Sequence, residues 1–118
     1  MRPAHFRWVC PPNSGTKQVW VYVWLNGFED KPSAYPMKRE HPEDVFWADL
    51  DLEPHGDKIL FKFKIDQRWD INTGLHIVQG PPHNGTTGYN MISLRRDLIR
   101  RQVTRHPFCV TILFPALV

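Results

Sequence analysis

Cysteine is scarce: Cys10 and Cys109 are the only two in 118 residues. They form no C-x-x-C pair and have no companions that would complete a zinc site. Two reduced thiols are the expectation, as in cytosolic proteins generally. A single bridge would need the two ends of the chain to meet. Long apolar runs are missing as well. The longest, around Phe108 to Val118, is too short to cross a bilayer and contains Pro115. The segment Met1-Arg2-Pro3-Ala4-His5 leads straight into a strand-like stretch, with no apolar core of the signal-peptide kind. The expected location is the cytoplasm, with the nucleus also open to it. Catalytic signatures are absent: there is no G-x-S-x-G, no H-E-x-x-H and no Walker loop. His5, His41, His55, His76, His83 and His106 are scattered without ligand spacing. Asp49 and Asp51 share one face of a strand, which a solvated surface explains better than an acid pair. No enzyme, metal or cofactor is therefore expected, and binding is the default function.

What is present is a single domain's length of soluble, globular composition. Apolar residues make up 42% and charged residues 23%, with a mean hydropathy of −0.43. Fifteen residues are aromatic, a heavy load for this length. The net charge of +3 is uneven. Residues 95–118 hold Arg95, Arg96, Arg100, Arg101 and Arg105 against Asp97, whereas residues 1–94 are close to neutral. The basic pI belongs to the tail, so nucleic acid is not an expected partner of the main body.

Strand signals repeat along residues 1–94. His5 to Val9 alternates, and Pro11-Pro12-Asn13-Ser14-Gly15 breaks it. In Lys17 to Leu25, Val19, Val21, Val23 and Leu25 share one face, and Trp20, Tyr22 and Trp24 the other. Both faces are apolar, which predicts a central strand covered on two sides. Residues 29–44, with Pro32, Pro36 and Pro42, read as a long connection. Val45 to Leu52 and Lys58 to Asp66 alternate again around a short turn and predict an antiparallel hairpin. Its second strand turns Ile59, Phe61, Phe63 and Ile65 inward and Lys58, Lys62, Lys64 and Asp66 outward. Residues 70–88 read as loop, with Asn84-Gly85-Thr86 as a turn, and Tyr89 to Leu94 as a last strand. The fold class predicted is an all-β antiparallel sandwich. Residues 95–118 form a basic, then apolar, tail. Leu94, Leu98, Ile99 and Val103 suit a short helix, and Phe108 to Leu117 an added strand or a segment needing a partner.

The informative constellation is Phe61-Lys62-Phe63-Lys64-Ile65-Asp66-Gln67-Arg68-Trp69. A lysine on the outer face of a strand, with a tryptophan seven residues later beyond a tight turn, suits a sugar. Sugar C–H groups stack on an aromatic plane, and ammonium or amide donors take the hydroxyls. The plain alternative is a core Trp69 and a solvated Lys62.

This run resembles the Y-K-F-x-V-D-G-x-W signature of the glycogen-binding module of AMP-activated protein kinase β subunits, a family 48 carbohydrate-binding module. Further pieces resemble it in order: Phe6-Arg7-Trp8, Trp24-Leu25-Asn26-Gly27-Phe28, Pro36-Met37, Asp51-Leu52-Glu53-Pro54-His55-Gly56, and Gly85-Thr86-Thr87-Gly88-Tyr89-Asn90-Met91-Ile92. The resemblance covers about residues 5–94 and implies an immunoglobulin-like sandwich. It places the family's sugar-binding lysine and second tryptophan on Lys62 and Trp69. The first tryptophan falls on Phe28 and the asparagine before it on Asn26. The threonine falls on Thr86 or Thr87, and the closing asparagine on Asn90. The sequence departs from the family at Asn84, where a leucine is usual, at Gln67, where a glycine is usual, and at Val23.

The resemblance implies a non-catalytic module for an α-glucan such as glycogen or starch, stacking glucose rings on Trp69 and Phe28. Hydrogen bonds would come from Lys62, Asn26, Thr86 and Asn90. Its alternative is a protein-interaction module docking on a protein kinase complex or another partner with sugar binding weakened or lost, which the altered sugar positions favour if glucan binding fails.

Overall fold

Alternating side chains become strands, and the strands sort into two layers. The computed structural model describes residues 2–28, 31–40, 45–56 and 58–93, and the backbone of 109–113. The strands in chain order are β1 (Arg2–Val9), β2 (Val19–Trp24), β3 (Ser33–Pro36), β4 (Lys38–Glu40) and β5 (Val45–Leu52), then β6 (Lys58–Ile65), β7 (Arg68–Asp70), β8 (Ile77–His83), β9 (Thr86–Ser93) and β10 (Cys109–Leu113). The first sheet runs β10-β1-β5-β4, and the second β3-β2-β6-β9-β8, with β7 also paired to β6. Every pairing between strands is antiparallel. The result is an all-β, sandwich-like fold, with no helix among the described residues. No helix there is long and apolar enough to cross a membrane.

The core lies between the sheets. Ala4, Phe6, Trp8, Phe46, Ala48 and Leu52 from the first sheet meet Val19, Val21, Val23, Ile59, Phe61, Phe63 and Ile92 from the second. Phe6 meets Phe61 edge-on at 5.2 Å, and Trp8 meets Phe63 at 5.0 Å, so ring contacts join the layers.

The expected hairpin of residues 45–66 does not form. β5 pairs with β1 and β4, while β6 pairs with β2, β7 and β9. Both strands turn most of their predicted apolar residues into the core, but a period-two pattern says only that each has an apolar face. Setting those faces against each other across the sandwich buries both. The sheets that β5 and β6 join lie roughly 10 Å apart. The His55 N–H donates to the Leu25 carbonyl at 2.9 Å and ties the connection between them to the end of β2.

Two stretches expected as loops contain strands. Residues 29–44 hold β3, which pairs with β2, and β4, which pairs with β5. The chain changes sheets at the buried Met37, whose N–H donates to the Val19 carbonyl at 2.9 Å. Residues 70–88 hold β8, with a register shift between Gln79 and His83. Prolines hid both strands. Pro36, Pro81 and Pro82 lie on edge strands, where a missing N–H breaks no ladder. The Asn84-Gly85 turn between β8 and β9 forms as predicted, with both residues at positive φ, 49° and 81°. The apolar end of the chain supplies an added strand, β10 on the β1 edge. The helix suggested for 94–103 lies outside the described residues.

Candidate functional site

The outer face of the second sheet carries a second cluster of buried rings. The doubly apolar pattern of β2 explains why. Val19, Val21 and Val23 fill the core, which leaves Tyr22 and Trp24 on the outside. Trp24, Leu60 and Tyr89 are buried there, with Tyr22, Val78 and Met91 packed around them. Leu60, the one apolar residue among the outward lysines of β6, belongs to this cluster.

These rings form a continuous strip. Trp69 meets Tyr22 at 4.6 Å and His83 at 4.7 Å. His83 meets Trp24 at 4.9 Å, Trp24 meets Tyr89 at 5.0 Å, and Tyr89 meets Phe28 at 4.9 Å. Each of these contacts is close to edge-to-face, the arrangement that ring quadrupoles favour. Trp69 is half-buried at one end of the strip, and Phe28, 36% exposed, lies at the other.

The turn that delivers Trp69 depends on Asp66. Asp66 takes the left-handed conformation at φ 53°, and Gln67 does not. Its carboxylate accepts the N–H groups of Lys17 and Gln18, each at 3.0 Å. Asp66 itself thereby supplies the left-handed turn position ahead of Trp69. Trp69 then stands directly opposite Lys64 on β6.

Lys62 does not reach solvent, against expectation. It projects from the predicted face but is 1% exposed, covered by the ring cluster. Its Nζ donates to the Thr86 hydroxyl at 2.7 Å and the Thr86 carbonyl at 3.2 Å. It also lies 3.8 Å from the centre of the Tyr89 ring. Burial lowers its pKa to about 8, so at neutral pH it remains mostly charged. Its contacts fix the start of β9 against β6.

Thr86 is half-buried, and its hydroxyl donates to the His83 carbonyl at 2.8 Å. Thr87, the alternative position for the family's threonine, is exposed and donates to Gln79 Oε1 at 2.8 Å. Lys62, Trp69, Asp70, Ile71, Thr86 and Gly88 line a cleft of about 200 Å³. At the other end, Asn26 is exposed and borders a shallower depression of about 510 Å³ with Phe28, Lys58 and Pro81.

Asn90 does not join this surface. It stands opposite the inward-facing Phe61 and is 0% exposed. Its Oδ1 accepts the Asn72 N–H at 2.6 Å, and its Nδ2 donates to the Asn72 carbonyl at 2.8 Å. That side chain clamps the loop after β7 and has no access to a ligand in solution. The structure therefore gathers Trp69, Lys62, Thr86, Phe28 and Asn26 on one face and puts Asn90 on the other.

Tyr22, Trp24 and Tyr89 also build the strip, and His83 links it. The first two were legible as the outer face of an apolar strand. His83 was not, because nothing in its neighbourhood distinguishes it from a turn residue. Its Nδ1 is buried without a partner among the described residues, and its Nε2 lies 3.3 Å from the Asn84 amide nitrogen. Burial first, and the Lys62 charge second, lower its pKa, keeping the ring neutral and able to pack between indoles.

Such a face offers ring edges and partial ring faces, bordered by an amide and a hydroxyl. No protein-family model matches this chain, and no curated protein matches it significantly.

Proposed function

We propose that this chain is a non-catalytic α-glucan-binding module. In this reading the sandwich is of the immunoglobulin-like kind, similar to the glycogen-binding module of AMP-activated protein kinase β subunits. The observation that carries the reading is the ring strip ending in half-buried Trp69 and exposed Phe28. Glucose rings stack their C–H faces on the two terminal aromatics. Asn26 meets hydroxyls beside Phe28, and the Thr86 side of the cleft meets them beside Trp69. Lys62 acts from beneath, holding Thr86 and Tyr89 in place, and Asn90 takes no part. Each ring contact is weak, so affinity depends on several glucose units binding at once.

Retardation in a native gel containing glycogen or amylopectin tests this. The wild type is expected to be retarded and Trp69→Ala to run freely, with both variants folded by circular dichroism. A folded wild type that is not retarded would overturn the reading. Tryptophan fluorescence during a malto-oligosaccharide titration reports the same contact.

A second reading, docking on a protein kinase complex, is favoured by the outer face of the first sheet. There Trp47 lies under the Lys38 ammonium at 5.1 Å, beside the His5 ring at 6.4 Å, and His5 Nδ1 pairs with Asp49 at 2.6 Å. Arg7 borders the same depression. This face remains available when the ring strip is occupied.

A further inference from the structure

Two ammonium groups flank the ring strip, and neither is paired with a carboxylate of the described residues. Lys58 is exposed and borders the depression beside Phe28 and Asn26. Lys64 stands at the opposite end, its Nζ 5.6 Å from the centre of the Trp69 ring. Among the described residues neither forms an ion pair. The acid lining the Trp69 cleft, Asp70, is already countered. One of its oxygens accepts the Ile71 N–H at 2.9 Å, and the other lies 3.5 Å from Arg68. Lys58 and Lys64 share the outer face of β6, six residues apart, so their backbone positions are separated by roughly 20 Å. Lys62 lies between them on the same face, held by Thr86.

A neutral glucan presents only hydroxyls and ring C–H groups. An ammonium can donate to such hydroxyls, but a hydrogen bond to an ionised acceptor is shorter and roughly twice as strong. A phosphate monoester is close to a dianion at neutral pH and presents three strong acceptors. It fits an unpaired ammonium beside a stacking ring.

We propose that the α-glucan taken by this surface carries phosphate monoesters, with Lys58 and Lys64 meeting phosphates at the two ends of the ring strip. This rests on the glucan reading above.

The test compares one amylopectin bearing phosphate monoesters with the same polymer after enzymatic dephosphorylation, using affinity gels and the full chain. At low ionic strength the phosphorylated polymer is expected to bind about threefold to tenfold more tightly, the range that partly screened ion pairs supply. That preference is expected to vanish near 1 M salt, where the screening length is about 3 Å. It is also expected to vanish in the double variant Lys58→Gln, Lys64→Gln. Equal binding of both polymers by the wild type would overturn the inference and leave the glucan reading standing. Binding of neither would overturn both. The salt series uses only the wild type, so the result does not depend on how the variant folds.

Discussion

At position 62 a side chain from the exposed class of amino acids is sealed under aromatic rings and keeps its charge. Lysine is rarely buried unless its ammonium is satisfied. Here the Thr86 hydroxyl and carbonyl, together with the Tyr89 ring face, replace water. Burial still lowers the pKa from 10.5 to about 8. Between those values the unfolded chain holds a proton that the folded chain has released. Stability therefore rises with pH across that window, and below about pH 8 the desolvation cost is carried in full. Relative to Lys62→Met, the wild type is expected to gain about 1–2 kcal/mol between pH 7.5 and pH 10, a discounted share of the full linkage. Urea unfolding of both proteins across that range measures it. A constant difference would show that the ammonium is solvated in the folded state. Position 62 was legible in sequence as a residue of the outer face. Its burial was not, because it depends on Trp24, Leu60 and Tyr89, which come from three different strands.

Among the elements, β8 shows how a functional surface can sit on a strand that reads as loop. Gly80-Pro81-Pro82 lacks alternation and removes ladder donors, so local pattern argues against a strand. Its place at a sheet edge removes the objection. Gly80 then has a specific task. A Cβ there would fall 2.2 Å from Cε1 of Phe28, so only glycine lets the ring lie over the strand. In Gly80→Ala the ring must swing away. Because Phe28 is already partly exposed, the stability cost should stay below about 1.5 kcal/mol. Glucan affinity is expected to fall several-fold, with the folded far-ultraviolet spectrum retained. An unchanged affinity in oligosaccharide titration would exclude Phe28 from the contact. β5 and β6 teach the complementary point. Their boundaries were readable from period-two alternation to within one residue, and their partners were not.

For the whole molecule, the sandwich places its two aromatic layers on opposite sides of β6. The inner layer holds the sheets together, and the outer one builds the candidate surface. Phe61 is 0% exposed, meets Phe6 across the sheets and lies 5.7 Å from Phe63. Phe61→Ala is expected to cost about 3–5 kcal/mol, read from the urea midpoint at constant slope. That is a large share of a small domain's stability, so the variant should be partly unfolded at 37 °C. Trp69→Ala, by contrast, should lose glucan retention while keeping most of its stability, because Trp69 lies at the rim of the outer ring cluster and belongs to neither buried core cluster. The two variants separate the inner layer from the outer one.

By itself the sequence determined the all-β class, most of the inward-facing core residues, the Asn84-Gly85 turn and the face from which Lys62 and Trp69 project. These follow from alternation and turn chemistry, which act between near neighbours. Only the tertiary structure decided that β5 and β6 face each other across the core, that proline-bearing segments close the sheet edges, that Lys62 is enclosed and that Asn90 clamps a loop. Each of these depends on which distant strands come together, and a side chain's burial and hydrogen-bond partners are set by those neighbours rather than by its own place in the pattern.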